Sequence, residues 1–488
     1  MNLSKTKFCI GVQCPKILWL DANARDKFDE SVIDKSRIET GLDVGDLARK
    51  YFADVSTIPS YLGMSGMLRK TRRLLESETS VIAEAAFRHG GNYCIVDILR
   101  KLDDGYEIVE VKSSTEIKPH YLHDMAYQAF VLKSCSIPVK KVSLMLVNNQ
   151  YVRQGELDLQ QMFVIHDCTA RVMKLQSEIP AMIAEIERVF VQESEPQCDI
   201  GGHCDSPHQC GYKAHCFRGL PKNNVFDIGF SMRAKIKESA YKSGIVSFDN
   251  VLNSGIPLTT KQRRQITATL NDSPPHINKT AIREFLDTVK YPLYHLDFET
   301  MQSAIPLWDN ARPYEQIPTQ YSIHIQDKPF AEPTHREFLA EHGSDPRRAL
   351  AERLCADIPP NSCVIAYNSS FEKMIIRGLA ELFPDLSAHL LSFDIIDLAE
   401  PFKSGAYYHR EMGGSYSIKK VLPALCPPSE YPELDYKSLV IQNGSMAMNA
   451  FAENGDKSAV RTALLEYCRL DTFAMVRILG KLYEVVKL

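Results

Sequence analysis

Two groups of acidic residues, roughly two hundred positions apart, have the spacing needed to hold hard divalent cations. Asp97 is followed by Glu110-Val111-Lys112; Asp297-Phe298-Glu299 is followed, near the far end, by Tyr467 and Asp471. Carboxylate oxygens are the ligands such cations prefer, and the cations offset phosphodiester charge and activate water. Asp97 falls inside an apolar strand pattern, Cys94 to Leu99, where an unpaired carboxylate is costly to bury. Glu110 and Lys112 are two apart on the next strand and so project from one face. A hairpin turning at Asp103-Asp104-Gly105 brings Asp97 beside them, letting two carboxylates hold a metal and the lysine orient or deprotonate water. Glu84, on the preceding strand, offers another carboxylate, and Asp124 and Gln128 share a helix face. An isolated E-x-K pair is more often a solvated ion pair, so its weight comes from these neighbours.

In the second group Asp297 and Glu299 also alternate at strand spacing. Asn368-Ser369-Ser370-Phe371-Glu372 lies where a strand turns into a helix, and Tyr467 and Asp471 are one helical turn apart. Carboxylates from three regions (Asp297, Glu299, Glu372 and Asp471) can hold two divalent ions, with Tyr467 placed to orient or deprotonate water. A third chemistry-bearing group is Cys204-x5-Cys210-x5-Cys216 with Cys14 far upstream; Cys9 and Cys198 are spare thiols. Four thiolates can hold zinc or an iron–sulfur cluster; the wide spacing lacks the paired C-x2-C of tight zinc sites, while His203, His208 and His215 keep zinc open.

The elements that must position these residues follow from periodicity. Ile38 to Ala53, Met64 to Leu75, Pro119 to Lys133 and Ala170 to Gln192 predict helices, and Val142 to Val147 a buried strand. Cys198 to Cys216 predicts irregular backbone. Residues 223–285 predict a helical linker, and strands followed by helices from about Tyr291 predict a second α/β domain within 286–488. The 488 residues allow two or three domains. Ordinary hydrophobic (44%) and charged (24%) fractions predict a globular protein, and a net charge of -4 argues against non-specific coating of nucleic acid. No apolar run is long enough to span a bilayer and no signal-peptide core opens the chain, so the expectation is cytoplasmic, without membrane contact. In that reducing setting thirteen cysteines are not a disulfide framework.

Residues 1–222 resemble the RecB-like branch of the PD-(D/E)XK nucleases, which carry an Asp, then an E-x-K, then a helix with Gln and a nearby Tyr. The resemblance implies Asp97 and Glu110 as metal ligands, Glu84 as a further one, Lys112 acting on water and Gln128 in support. Where many relatives have a metal-binding His in G-x-x-x-H, Gly41 to Gly45 ends in glycine. It also implies a 4Fe–4S cluster on Cys14, Cys204, Cys210 and Cys216, stapling both ends of the domain. Residues 286–488 resemble DEDD exonucleases of the ribonuclease-H-like fold (D-x-E, N-x-x-F-D, Y-x-x-x-D), with Glu372 in place of the usual Asp. Arg312-Pro313-Tyr314, Gln320-Tyr321-Ser322, His324, Gly414 to Pro423 and Asn443-Gly444 add a resemblance, across the whole chain, to bacterial proteins of the domain-of-unknown-function 2779 family. Lys419, Lys420, Arg312 and His324 could contact phosphates, or be ordinary solvated cations. The expectation is thus an α/β chain of two nuclease-like domains using Mg²⁺ or Mn²⁺ on nucleic acid, mainly DNA with single-stranded ends. The alternative is a nucleic-acid-binding adaptor with one or both centres inactive.

Overall fold

Strand-forming runs in the first third of the chain build one mixed sheet, and those after residue 290 build another. The computed structural model describes residues 2–33 and 35–487 as a mixed α/β fold. It divides into two units: residues up to Gly219 together with Ser303–Glu315, and Leu220–Gln302 together with the residues from Gln316 onward.

In the first unit the strands are β1 (Leu3–Ser4), β2 (Val55–Thr57), β3 (Val81–His89), β4 (Asn92–Leu102), β5 (Gly105–Lys112), β6 (Val139–Val147) and β7 (Phe163–Asp167). They run in the order β2-β3-β4-β5-β6-β7, with β1 beside β4. β4 and β5 form the expected antiparallel hairpin, and β6 returns parallel to β5 after the helix Pro119–Ser134. Alternation buries both faces. Leu99, Ile108 and Leu144 pack with Tyr127 and Leu132 of that helix. Ile98, Val109 and Met145 pack with Val44 and Ala48 of the helix Lys35–Tyr51 and with Ala304, Ile305 and Tyr314 of the returning segment.

One expected element differs. The helix predicted over 170–192 is two helices, Thr169–Leu175 and Ile179–Phe190. Pro180 lies in the first turn of the second, where its missing N–H is tolerated; inside a continuous helix it would break the ladder.

The second unit contains β8 (His276–Ile277), β9 (Leu293–Met301), β10 (Ile317–Gln326), β11 (Thr334–Leu339), β12 (Cys363–Ala366), β13 (Asp394–Asp397) and β14 (Tyr407–Tyr408). Its main sheet has the order β11-β10-β9-β12-β13, antiparallel on one side of β9 and parallel on the other. Leu296 and Phe298 point into a core shared with the helices Arg347–Asp357 and Ser370–Leu382. The long helix Ser458–Lys487 packs against β9 and β10. Residues 223–285 fold within this unit around a small core of their own, including Val225, Phe248, Val251 and Ile266. Among the described residues, no helix is long and apolar enough to cross a membrane.

Candidate metal centres

On β9 the residues opposite in parity to Leu296 and Phe298 are His295, Asp297 and Glu299, so they face away from that core. Three polar anchors on β10 then fix the long helix. Gln320 Nε2 donates to the Leu464 carbonyl at 2.9 Å, while Ser322 and His324 Nδ1 each lie 2.8 Å from the Thr472 hydroxyl. Residues 320, 322 and 324 share one face, so together they set the helix's position along the strand. The result brings Asp471 to Asp297 and Glu299. Among the described residues, these three form the one group whose ligand atoms all lie within 4.8 Å of one another.

The electrostatics of this centre are those of crowded, poorly compensated carboxylates. Burial, then the charges of Asp471, Glu299 and Glu372, push Asp297 well up. Burial and Asp471 push Glu299 to about 8, and burial alone raises Asp471 to about 6 despite the hydrogen bond from Tyr436. Glu372, in the first turn of the helix after β12, is pushed to about 7 by burial and Asp397. It stands outside the 4.8 Å group but acts on Asp297 and Glu299 by charge, and its Oε2 is buried without a hydrogen-bond partner. Tyr467 is buried beside Asp471, and Lys419 Nζ donates to its hydroxyl oxygen at 3.3 Å. A divalent ion fits this donor set, because it would neutralise the charges that now raise one another.

Sequence reasoning missed Tyr436, Lys419's place at the carboxylates and the role of Gly444. Gly444 opens the helix Gly444–Asn454, and a Cβ there would stand 3.4 Å from Glu299 Oε2. That is ordinary contact distance, and it sets this helix N-terminus beside the carboxylate, where the helix dipole favours negative charge. His324, read as a possible phosphate contact, is instead buried, hydrogen-bonded to Thr472 and held by burial near 3, hence neutral. Arg312 lies in the Ser303–Glu315 segment of the first unit, and Lys420 is exposed.

The first centre is built differently. The β4–β5 ladder ends at Ile98 and Val109, and beyond it Asp97 Oδ2 accepts the Val111 N–H at 2.9 Å. Glu84 interrupts the β3–β4 ladder with φ of 60° and no shift of register, between the pairs Ala83–Ile98 and Ala85–Val96, and so stands opposite Asp97. Glu110 is fully buried with Gln128 Nε2 donating to its Oε2 at 2.6 Å; the same amide reaches Asp124 at 3.0 Å. Lys112 pairs with Glu110 and, at 2.8 Å, with Asp124. The unanticipated residue is Lys5, in the first turn of the helix Lys5–Gln13. Its Nζ lies 2.9 and 3.2 Å from the two Glu110 oxygens, 3.6 Å from Asp97 and 3.8 Å from Asp124.

Arg49 completes the balance by pairing with Glu84 at 3.1 Å. It lies one turn after Gly45. Four carboxylates (Glu84, Asp97, Glu110, Asp124) therefore meet three cations (Lys5, Arg49, Lys112). Burial opposes the Glu110 charge, yet Lys112 and Lys5 outweigh it and hold the group well below the carboxylate range. Burial likewise opposes the Lys112 charge and is outweighed by Glu110 and Asp124, so this lysine is a counter-charge and donor. Both Glu110 oxygens are already engaged by nitrogen donors, so this centre fits a divalent ion less well than the second.

The structure gathers five of the cysteines singled out in the sequence, the spare Cys198 among them. Cys14, Cys198, Cys204, Cys210 and Cys216 all line one small cavity, whereas Cys9 packs on the first-unit core. Cys14 caps the helix Lys5–Gln13, and Gln13 Nε2 donates to the carbonyls of His203 (2.8 Å) and His208 (2.7 Å). Residues 13–14 and 198–216 are thus tied together. A single zinc would draw sulfurs to about 3.8 Å of one another, given Zn–S near 2.3 Å. Among the described residues, no three of these sulfurs come within 4.8 Å of one another.

The chain is similar to the uncharacterized protein MG366 of Mycoplasma genitalium, 26% identical over 216 residues, covering 40% of this chain and 32% of that protein. Its homolog in Mycoplasma pneumoniae is 25% identical over 207 residues, covering 38% and 31%. Uncharacterized protein UU173 of Ureaplasma parvum is 30% identical over 212 residues, covering 38% and 30%. The chain thus spans about a third of the length of these relatives. Narrower than the whole-chain resemblance expected from the signatures, residues 294–417, which include Asp297, Glu299 and Glu372, match the family described as Domain of unknown function (DUF2779).

Proposed function

We propose that this chain is a divalent-metal-dependent nuclease whose catalytic centre is Asp297, Glu299, Asp471 and Tyr467, with Glu372 assisting. The observation that carries this is the convergence of three carboxylates within 4.8 Å, buried enough to raise one another and lacking a direct cationic partner. Bound Mg²⁺ or Mn²⁺ would supply charge neutralisation and a more acidic water. The protein's own part is to hold the carboxylates on a rigid strand and helix, and to direct the Tyr467 hydroxyl at the attacking water. Glu372 lies beyond the carboxyl end of β12, beside the central strand where the sheet order reverses, a place where α/β sheets commonly bind ligands. This supports the DEDD-type, ribonuclease-H-like reading, with DNA carrying single-stranded ends as the substrate class.

The first unit supports a PD-(D/E)XK-like fold, and its cysteine-lined cavity a structural 4Fe–4S cluster on Cys14, Cys204, Cys210 and Cys216. Thirteen free cysteines fit a reducing, cytoplasmic setting. A second reading concerns this unit alone. The contacts of Lys5 with three carboxylates favour a nucleic-acid-binding module in which a lysine ammonium replaces the metal.

The test is cleavage of single- and double-stranded DNA and RNA with Mg²⁺ or Mn²⁺. Asp297→Ala should abolish cleavage. Full activity in that variant would sink the proposal, and loss of one separable activity in Lys112→Ala would show that the first centre also cuts.

A further inference from the structure

An acidic centre repels the polyanion it is meant to cut, so a cation must stand at its rim. Of the four residues flagged for phosphate contact, His324 is buried, neutral and bonded to Thr472, which removes it as a cation. Lys419 stands at the carboxylates, acting on Glu299 and Asp471 by charge.

Its surroundings hold it without neutralising it. The Nζ donates to the Gln442 carbonyl at 2.6 Å and to the Tyr467 hydroxyl at 3.3 Å, both uncharged acceptors. The rings of Tyr467 and Tyr436 lie 5.2 and 5.4 Å from it, within cation–π range. Among the described residues, no carboxylate oxygen comes within 4.0 Å of it. An ammonium has three N–H donors, and two are used. What remains is one donor and a full positive charge, half-buried beside the catalytic group.

We propose that Lys419 binds a backbone phosphate of single-stranded nucleic acid next to the bond cut at the second centre. This rests on the functional reading above and assigns the residue that holds its substrate. The phosphate takes the third N–H, while the tyrosine pair and the Gln442 carbonyl keep the side chain from collapsing onto Asp471.

The experiment is binding of a fluorescent oligothymidylate to the full-length protein in Ca²⁺, followed by anisotropy across a salt series. Lys419→Met should weaken binding about tenfold and make the slope of log affinity against log salt shallower by about 0.7, one counterion from a single strand. Lys419→Arg should keep the wild-type slope, and a wild-type unfolding midpoint in both variants excludes a folding defect. An unchanged affinity and slope in Lys419→Met overturns the proposal. So does a loss of turnover without loss of affinity that vanishes in a Tyr467→Phe background, which would make Lys419 a positioning residue for the tyrosine. Cleavage that ignores Asp297→Ala would instead overturn the functional reading, so the two failures are separable.

Discussion

Tyr467 and Asp471 share a helix face, but only the tyrosine lacks a charge to give a metal. Its buried hydroxyl accepts from Lys419 and donates to the Asp471 carboxylate, so the phenol is held at the ligand beside which water would bind. Tyr467→Phe should therefore keep Mn²⁺ and oligonucleotide affinity yet slow turnover on the order of a hundredfold, as loss of a group orienting water does. Calorimetric titration beside single-turnover kinetics checks this, and an unchanged rate would mean the water is activated elsewhere. At this scale the sequence was informative wherever chemistry repeats at a fixed period: Glu110-x-Lys112 and Asp297-x-Glu299 at two, Tyr467-x3-Asp471 at four. Lys5 was invisible because it meets Glu110 across 105 positions, and Tyr436 because it comes from a short turn with no periodicity.

Between β10 and the long helix, one hydroxyl serves two of the three polar anchors. Thr472 is fully buried and lies 2.8 Å from both Ser322 Oγ and His324 Nδ1. Thr472→Val keeps the shape but leaves two buried polar groups with one partner fewer. It should cost about 1–3 kcal/mol in denaturant unfolding. Because the helix carries Asp471, Mn²⁺ affinity should fall with it; stability loss with unchanged affinity would show that the apolar packing alone sets the register. The signature Gln320-x-Ser322-x-His324 was readable as a pattern, while its purpose needed the helix, roughly 150 residues later. The break at Pro180 is signalled by the ring's lost N–H, but the long periodic run around it concealed it, and one continuous helix was expected.

For the whole molecule, pH and metal content should act on stability together. The carboxylates of the second centre are raised in the folded protein, Glu299 to about 8, above their ordinary values near 4. Between those limits the folded state binds more protons than the unfolded, so metal-free stability should fall as pH rises from about 4 to about 8. Thermal scans should show this slope, Asp297→Asn should flatten it, and Mg²⁺ should raise the midpoint more at pH about 8 than at about 5.5. A metal-independent midpoint would remove the centre. The cysteine staple makes a separate prediction: protein purified without oxygen should be brown, with about four iron and four sulfide per chain. Cys204→Ser should open the first unit to protease, and one zinc with no iron would discard the cluster but keep the staple.

Ser303–Glu315 leaves the second unit between β9 and β10 and fills the first, where Tyr314 donates to the Ser113 carbonyl at 2.8 Å and Arg153 to those of Pro306 and Leu307. During synthesis the first unit therefore cannot finish folding until residue 315 has left the ribosome, by which time β9 is already made. No single break in the gene separates the two units cleanly. Shuffling by recombination would have to move both or damage one.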